Sequence, residues 1–597
     1  MKDLFDRFDE VTVIDTEFAT TSTLRPDPVS AVGHQLKSGR QHKLWLYNKL
    51  GEIESPPWPQ GPNDLVVTWY GLAEWSVYLA LGWKLPANHI DLFNFWKWFK
   101  NGRRMRSNGN SLLAACMNFN LAAMTSENKD FWRDLIVSRG WNKDQIEGIL
   151  NYNQDDVLLT TALLHRVIRY IDLKQELNRG QYINCLSLVE ARGIPVDLST
   201  LKKIQESWPA LKEILMESAN EIWPFYKDGS FKMNEFKAYL KHNRIPWKYT
   251  SSGRPSTSDD YMKSRGLSLP EIEKLRQVKK TLSKGGKKLN LPVGVDARNR
   301  FMMSPFGQIG GRNNPSTTKN IFGAAKWQRQ LIQPNPGMGL IYCDWISQEY
   351  GVAAYLSQDK NMMEAYESEC PYLFFGKKMN RIPENATKQS HAQERAIYKR
   401  VSLAMNYGQG SKSLAHDLDL HHAEAASLIK HHKRIFPKFW EWMDTTVSRA
   451  MLQLKMVGRC GWQFHVRSSE RDEHGRKEPV NQRTLMNWSM QANSSEMMRL
   501  GTILLTRAGL RICMIVHDAY LVESPISEID AAAAKTQECM EKASRIILNG
   551  HALRSDAQIF RYPERFPESN GLDTWELFQK FLADNPSPSL SAPQIAV

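Results

Sequence analysis

Two short apolar runs, far apart in the chain, each deliver an aspartate where a strand would end. GLIYCDWISQE reaches Asp344 and places Glu349 five residues later, and ICMIVHDAYLV is interrupted by His517 and Asp518. Alternating or continuous apolar residues of this length are typical of strands. Each run alone is also typical of an ordinary strand-end acid or a turn, so its significance depends on what stands between the two.

Two helical segments lie between these runs, and both repeat polar side chains at four-residue spacing. RAIYKRVSLAMNYG sets Arg395, Lys399, Leu403 and Tyr407 on one helix face. Two cations at this spacing repel each other by a few tenths of a kcal/mol, and a bound triphosphate would reverse the sign of that interaction. The segment RTLMNWSMQ repeats the spacing with Arg483, Asn487 and Gln491. Any one helix of this kind is mundane, but four motifs in this order make coincidence very unlikely.

A second group of acids lies near the N-terminus. In VTVIDTEF the apolar alternation predicts a strand, whose period of two turns Asp15 and Glu17 to one face. Tyr152 and Asp156 fall four residues apart at the start of an amphipathic helical run. A lone pair such as Asp15 and Glu17 is more often a pair of strand-end acids facing water. Acids that are held close together repel each other unless a cation lies between them. The additional carboxylate of Asp156 therefore favours a metal site.

The N-terminal motifs resemble those of the DnaQ-like proofreading exonucleases of the ribonuclease-H-fold superfamily. The middle element of that family is an Asn followed four residues later by an acid, and its best match here runs from Tyr70 to Glu74 in TWYGLAEW. Glu replaces the usual Asp, and the Asn is missing. The resemblance implies two divalent ions for hydrolysis of the DNA 3′ end, with Tyr152 orienting the attacking water. The implied ligands are Asp15, Glu17, Glu74 and Asp156.

The four later motifs, with IGGRNNP around Arg312 and RQLIQP from Arg329, resemble the family A, or DNA polymerase I-like, DNA polymerases over roughly residues 185 to 565. The resemblance implies that Asp344, Asp518 and the carbonyl of Trp345 hold two Mg²⁺ ions, with Mn²⁺ as a substitute. One ion would lower the pKa of the primer 3′-OH, and the other would bind the triphosphate and steady the pyrophosphate.

Further site residues follow from the same resemblance. Arg395 and Lys399 would bind the phosphates of the incoming nucleotide, and Lys399 would act in catalysis. Tyr407 would stack at the nascent base pair, beside Glu349 as the gate against a ribose 2′-OH, and Leu403 would lie at the nucleotide sugar. The implied DNA contacts are Arg312, Arg483, Asn487, Gln491 and, near the primer terminus, His517.

Three positions depart from the family pattern. Ala519 stands where the family usually has Glu after the palm His-Asp, so we expect catalysis to survive on two aspartates with an altered metal preference. Leu403 replaces a Phe or Tyr, so we expect dideoxynucleotides to be handled differently from both common classes. ECPYLFFG stands where many members carry a fingers His, so no His is assigned there.

Charge supports a polyanionic partner. The formal net charge is +14, and Lys and Arg release counterions when they bind phosphate. In EIEKLRQVKKTLSKGGKKLN, apolar residues recur at helical spacing. A charge run is usually a solvated helix face, but beside a nucleic-acid enzyme it predicts a grip on duplex phosphates. The lysines assigned to this grip are Lys279, Lys280, Lys284, Lys287 and Lys288.

The sequence therefore predicts a multidomain α/β protein: a ribonuclease-H-like exonuclease domain followed by a right-hand polymerase with a helical thumb, an antiparallel-sheet palm and helical fingers. Expected boundaries are 1–175 for the exonuclease, 176–300 for the thumb, 301–370 and 481–580 for the palm, 371–480 for the fingers, and 581–597 for a disordered tail.

The expected substrates are primer–template DNA and dNTPs, and the expected state is a monomer. Seven cysteines without a C-x-x-C pair, no signal peptide and no apolar run of about 18 residues predict a cytoplasmic protein away from membranes. With no room before Asp15 for a 5′ nuclease domain and a short thumb, we expect a bacteriophage replicative enzyme, which would act in the host cytoplasm. The alternatives are a repair exonuclease with an inactive polymerase half and a non-catalytic DNA-binding scaffold. Host, processivity factor, other replisome proteins and any preference for modified bases such as 2-aminoadenine stay open.

Overall fold

The structure is a computed structural model of the chain. It describes residues 6–21, 25–121, 126–266, 269–289, 291–418, 420–467, 470–471, 477–478 and 481–585. Within these parts no helix combines the length and apolar character that crossing a membrane requires. All seven cysteines are free thiols, and six of them are buried.

A five-stranded sheet forms the centre of the N-terminal part, in the order β3-β2-β1-β4-β5. The strands β1 to β3 are antiparallel neighbours, whereas β4 runs parallel to β1 and β5 parallel to β4. The strands are β1 (Val11–Thr20), β2 (Pro26–Gln35), β3 (Gln41–Trp45), β4 (Leu65–Thr68) and β5 (His89–Asp91). The helices are α1 (Gly71–Leu81), α2 (Leu92–Lys100), α3 (Leu112–Asn118), α4 (Ser126–Ser138) and α5 (Lys143–Val167).

The alternation of β1 separates two cores. Val11 and Val13 belong to the cluster that contains Val157 of α5, whereas Ile14 belongs to the cluster that contains Trp75 of α1. Because successive side chains of a strand point to opposite faces, Asp15 and Glu17 share the α5 face with the two valines. Thr16 shares the α1 face with Ile14. The strand thus delivers its two acids towards the helix that carries Asp156.

The middle of the chain is helical. Its helices are α6 (Leu173–Arg192), α7 (Leu198–Glu206), α8 (Trp208–Ile222), α9 (Met233–His242), α10 (Asp259–Arg265) and α11 (Pro270–Lys288). Its two-residue strands pair as β6 (Ile194–Pro195) with β9 (Arg298–Asn299) and β7 (Tyr226–Lys227) with β8 (Ser230–Phe231). Gly193 ends α6 at φ 66°, and a Cβ there would meet the Asn299 carbonyl oxygen at 2.7 Å, so the turn needs glycine.

The C-terminal part contains a four-stranded antiparallel sheet in the order β15-β16-β10-β17. Its strands, with the short ribbons that precede the last three, are β10 (Met338–Trp345), β11 (Lys455–Val457), β12 (Gln463–His465), β13 (Glu470–Arg471), β14 (Lys477–Glu478), β15 (Arg511–Val516), β16 (Ala519–Pro525) and β17 (Ser555–Arg561). The Tyr520 hydroxyl of β16 donates to the Met498 carbonyl at 2.6 Å, which ties the sheet to a long buried helix.

Ten helices of the described residues accompany this sheet. They are α12 (Gln348–Ser357), α13 (Lys360–Glu367), α14 (Pro371–Lys378), α15 (Ala392–Asn406), α16 (Ser411–Leu418), α17 (His422–Ile435), α18 (Pro437–Gln453), α19 (Gln482–Arg507), α20 (Ile529–Ile547) and α21 (Leu572–Asp584). The predicted mixture of helices and sheets and the predicted antiparallel sheet are both present. Two boundaries differ: α6 begins before position 176, and α21 continues into the predicted tail, whose residues 586–597 lie outside the described ones.

A buried ion-pair group fixes the C-terminal sheet to the middle of the chain. The Glu523 side chain, fully buried on β16, accepts from Arg298 at 2.5 Å and from its cross-strand neighbour Arg511 at 2.9 Å. Arg298 is itself only 12% exposed. Removing one partner of such a group leaves an uncompensated buried charge.

We expect Glu523→Ala to lower the free energy of unfolding by about 3–5 kcal/mol, measured by urea unfolding followed by tryptophan fluorescence. The matched control is Glu538→Ala, which removes an exposed partner of Lys535 and should change stability by less than about 0.5 kcal/mol. Equal urea midpoints for the two variants would contradict the assignment.

Candidate metal centres and nucleic-acid interface

Three predicted N-terminal acids converge. Carboxylate oxygens of Asp15, Glu17 and Asp156 all lie within 4.8 Å of one another. Among the described residues, this is the single group of three or more potential metal ligands that comes so close together. A register irregularity between Glu17 and Phe18 on β1 adjoins it, and such bulges commonly re-aim side chains beside functional sites. The group matches the sequence prediction for these three residues.

The electrostatics of this group suit a cation. Burial raises the pKa of Asp15 well above its usual value, and the neighbouring Glu74, Glu17 and Asp156 raise it further. Burial, followed by the charge of Asp156, raises the pKa of Glu17 to about 8. Neighbouring carboxylates repel each other when they are ionised, and a divalent ion bound between them removes that repulsion. The donor set, all oxygen, fits Mg²⁺ or Mn²⁺.

Glu74 lies beside this group but not within it. Its carboxylate accepts a hydrogen bond of 2.6 Å from the hydroxyl of Thr16, the β1 residue that faces α1. Burial raises the pKa of Glu74 to about 8, and its charge is near enough to act on Asp15. The structure therefore places Glu74 behind the strand end, and its role as a metal ligand stays a prediction.

Tyr152 lies on α5, one turn before Asp156. It is 3% exposed, and its ring stacks on Trp132 with centroids 5.9 Å apart. The sequence analysis missed a further neighbour. The Lys129 ammonium of α4 lies 2.6 and 2.7 Å from the two carboxylate oxygens of Asp156. The stretch ENKDFWRDLIV carried no motif that pointed to this lysine.

The two C-terminal aspartates meet at one end of the antiparallel sheet. Asp344 pairs with Ala519 on β16, and the backbone N–H of Trp345 donates to the Asp518 carbonyl at 3.2 Å. On its other side Asp344 pairs with Asp556 of β17. Residues directly opposite in antiparallel strands project to the same face, so Asp556 is a third acid on the face of Asp344. The sequence analysis did not identify it, because strand register cannot be read from LRSDAQIF.

Asp344 has properties that suit a metal ligand. Burial raises its pKa to about 8, with the charge of Asp518 next in importance and Lys399 opposing. Its Oδ1 atom is buried without a hydrogen-bond partner. Burial also raises the pKa of Asp518. A divalent cation fits this pair of oxygen donors.

A polar chain links four predicted substrate-binding residues. Arg312 donates to Glu349 at 2.8 Å, and the Tyr407 hydroxyl lies 3.4 Å from both Glu349 oxygens. Gln491 lies 3.4 Å from the same hydroxyl. Residues from four segments of the chain therefore meet beside the aspartates, and Glu349 is contacted by both Arg312 and Tyr407.

The fingers-type helix α15 carries its cations over an aromatic ring. Arg395 and Lys399 lie 5.7 and 5.9 Å from the centroid of Tyr372 on α14. Tyr372 is 3% exposed and comes from the ECPYLFFG segment, to which the sequence analysis assigned no ligand-contacting residue. The ring favours cations on its face and holds both side chains on one side of the helix. Leu403 is half-buried on the same helix.

The remaining predicted DNA contacts differ in exposure. Arg483 at the start of α19 is exposed, and His517 occupies the turn between β15 and β16 at φ 51°. Asn487 is 4% exposed, and its amide donates to the Asn406 carbonyl at 3.5 Å. Its Oδ1 is buried without a partner. Asn487 therefore faces α15 rather than solvent, and DNA contact by this side chain would require a rearrangement.

The predicted lysine grip is described only in part. Lys279 and Lys280 lie on α11, both half-buried, and the Lys279 ammonium lies 5.4 Å from the Phe231 ring. Burial lowers the pKa of Lys279. The side chains of Lys284, Lys287 and Lys288 lie outside the described residues. The phosphate contacts of all five lysines stay predictions.

Comparison with known proteins gives a family and a fold. The sequence model described as DNA polymerase family A matches residues 242–553. The thermostable DNA polymerase I of Thermus thermophilus is 24% identical over 386 residues, covering 60% of this chain and 44% of that protein. DNA polymerase I of Geobacillus stearothermophilus is 27% identical over 225 residues, covering 36% and 25%. The chain thus spans less than half the length of these relatives.

One solved structure matches almost end to end. It is described as the POL domain of Pol1 from M. smegmatis in complex with DNA primer-template and dNTP, and it aligns with a TM-score of 0.69. The match covers 92% of this chain and 94% of that one at 17% identity. At this identity the similarity shows a shared fold.

We expect divalent-ion binding at Asp344 to be linked to proton release. Because its pKa is about 8 and the bound form needs the carboxylate, affinity should rise up to about tenfold per pH unit below pH 8 and level off above it. Mn²⁺ titration between pH 6 and 9, monitored by electron paramagnetic resonance in an Asp15→Asn/Asp156→Asn background, measures this. Asp344→Asn is the control, and a pH-independent affinity in the background protein would contradict the expectation.

Proposed function

Because the chain belongs to DNA polymerase family A, we propose that it extends a DNA primer on a DNA template from dNTPs and removes mispaired 3′ ends with its N-terminal part. The observation that carries the first activity is the meeting of Asp344 and Asp518 at one sheet end, with Arg395 and Lys399 on the helix nearby. Lys399 is near enough to oppose the raised pKa of Asp344. Acids for metal ions and cations for a triphosphate are thus within reach of one substrate.

Asp344, Asp518 and the Trp345 carbonyl would hold the divalent ions in the polymerase centre. Bound there, two Mg²⁺ or Mn²⁺ ions would activate the primer 3′-OH and neutralise the departing pyrophosphate. Arg395 and Lys399 bind the phosphates of the dNTP through charge-assisted hydrogen bonds. Asp556 adds a third carboxylate beside Asp344, on the side opposite Ala519.

The polar chain at Glu349 would select the sugar. Arg312 and Tyr407 hold its carboxylate at the site, where a ribose 2′-OH would meet a side chain that cannot retreat. Tyr407 is 40% exposed, as stacking on a base requires. Gln491, beside the Tyr407 hydroxyl, and the exposed Arg483 would bind primer and template through the minor groove and phosphates.

For the second activity we propose hydrolysis of single-stranded 3′ ends. Support comes from Asp15, Glu17 and Asp156, whose carboxylates gather on a mixed five-stranded sheet beside Tyr152. Asp15, Glu17 and Asp156 would hold a divalent ion, and that ion would supply Lewis-acid activation of water for attack on the phosphate. Tyr152 would orient the attacking water, and its ring is fixed by Trp132. Genome replication in a bacteriophage stays the biological setting that we predict.

DNA of a primer–template kind suits the described surface. The net charge of +14 favours a polyanion, and the matching mycobacterial structure is described with primer-template DNA and dNTP. An inert polymerase half or a purely structural DNA-binding role would leave the buried acids at either centre without a purpose. Single substitutions in the two centres discriminate these alternatives.

Asp518→Asn should reduce primer extension by about 1000-fold or more, because a metal ligand supports several kcal/mol of transition-state stabilisation. It should leave degradation of a single-stranded oligonucleotide within about twofold. Asp15→Asn should do the reverse. Both assays use gel electrophoresis with Mg²⁺, with and without dNTPs. An Asp518→Asn protein that extends primers normally, or a wild type that lacks both activities, would refute the proposal.

Ala519→Glu should change primer-extension turnover by far less than about 100-fold, because Asp344 and Asp518 provide enough ligands for two ions. We expect it to shift the ratio of Mg²⁺ to Mn²⁺ activity towards Mg²⁺. Steady-state kinetics in each metal measure this, with Ala519→Gln as the uncharged control of similar size. A hundredfold gain in turnover would show that two aspartates are insufficient.

A further inference from the structure

A buried lysine occupies the N-terminal acidic centre. Lys129 is 7% exposed, and its ammonium contacts both carboxylate oxygens of Asp156 at 2.6 and 2.7 Å. It also lies 5.8 Å from the centroid of the Tyr152 ring. Lysines are almost never fully buried unless paired, so this side chain is committed to the centre rather than to the surface.

The helix α4 aims this lysine by ordinary amphipathic packing. Trp132 and Ile136, three and seven residues after Lys129, pack in the cluster formed with Val29 and Tyr152. Residues at these spacings share one helix face. The apolar face of α4 therefore packs beside β1 and α5. This packing places the Lys129 ammonium, near the N-terminal end of α4, against the acids.

Charge around the centre is only partly balanced. Lys129 opposes the raised pKa values of both Asp15 and Glu17, and Arg133 of the same helix acts on Glu17. Asp15, Glu17 and Asp156 are the acids that face these cations, and Glu74, behind the strand, is near enough to act on Asp15. One ammonium offsets one of the three gathered carboxylates, and a single divalent ion would offset the other two. A second divalent ion would bring excess positive charge beside a buried ammonium.

We infer that Lys129 takes the place of one of the two divalent ions expected in this centre, so that the site binds a single ion and Asp156 is held in position by the lysine. This inference rests on the proposed exonuclease function. In hydrolysis, the attacking water gives up a proton to solvent as its oxygen bonds to phosphorus, the P–O3′ bond breaks, and the departing 3′ oxygen takes up a proton from solvent. Lys129 acts through Asp156 as a positioning residue and supplies positive charge near the phosphate.

The number of bound ions tests the inference directly. In an Asp344→Asn/Asp518→Asn background, Mn²⁺ titration by electron paramagnetic resonance should count one ion per chain. Adding Lys129→Met should raise the count to two or tighten the first site at least tenfold, because a competing cation is gone. Lys129→Arg should behave as the background does. Two ions in the background protein, or an unchanged count and affinity in Lys129→Met, would overturn the inference.

Degradation of a single-stranded oligonucleotide at saturating Mg²⁺ gives an independent readout. Lys129→Met should be at least tenfold slower than wild type, and Lys129→Arg should recover most of the rate. Lys143→Met, at an exposed position on α5, is the matched control and should equal wild type. Unchanged degradation by Lys129→Met would count against the inference. Circular dichroism and thermal unfolding in Mg²⁺ verify the fold of each variant.

The two proposals fail in different ways. If wild type and Asp15→Asn both leave the oligonucleotide intact, the exonuclease function fails. The number of bound Mn²⁺ ions then remains the test of whether Lys129 replaces one ion. If wild type degrades DNA and Asp15→Asn does not, the function stands, and only the Lys129 variants bear on the inference.

Discussion

Repulsion between buried carboxylates is the constraint on which both centres depend. In each centre, strands deliver acids to a place where burial and neighbouring charge raise their pKa values, to about 8 for both Glu17 and Asp344. Such groups destabilise the folded chain when they ionise without a partner. The surrounding sheet must therefore hold them by backbone hydrogen bonds, and cations must complete the site. The fold therefore needs a positive charge at two separate places, beside the N-terminal acids and beside Asp344 and Asp518.

The register of the C-terminal sheet decides which acids can cooperate. Asp344 pairs with Ala519 of β16 on one side and with Asp556 of β17 on the other. The strand β16 therefore has no carboxylate opposite Asp344, whereas β17 has one. The buried group around Glu523 fixes that register further along β16. Slippage by one residue would turn Asp344 to the other face. The ion-pair group and the metal centre are thus two consequences of a single strand alignment.

Local periodicity was sufficient to predict which N-terminal acids come together. The period of two in VTVIDTEF predicted that Asp15 and Glu17 share one face, and their carboxylates lie together with that of Asp156. Burial raises the pKa of Tyr152, four residues before Asp156, and these acids lie near enough for their charges to raise it further. Arg312, Glu349, Tyr407 and Gln491 were assigned by resemblance and meet in the structure.

The residues that the sequence did not point to, and the surroundings of some that it did, depend on contacts across the fold. Glu74 lies on α1, on the side of β1 that Thr16 faces, and it accepts a hydrogen bond from the Thr16 hydroxyl. The spacing in TWYGLAEW does not reveal this position. Lys129, Tyr372 and Asp556 come from segments without a motif, and only docking and strand register bring them to the centres. Asn487 lies on the predicted helix, but packing against Asn406 turns it inwards.

The two centres obtain their positive charge in opposite ways. In the proposed polymerase centre, Lys399 is exposed on α15 beside the Tyr372 ring, so its charge is accessible from solvent. In the N-terminal centre, Lys129 is buried and forms an ion pair with Asp156, so its charge is already paired before any substrate binds. A site that must bind and release a charged substrate at each step gains from cations left to solvent. The exonuclease that we propose for the N-terminal part would act on frayed 3′ ends, and such a site gains from acids that are already held in place.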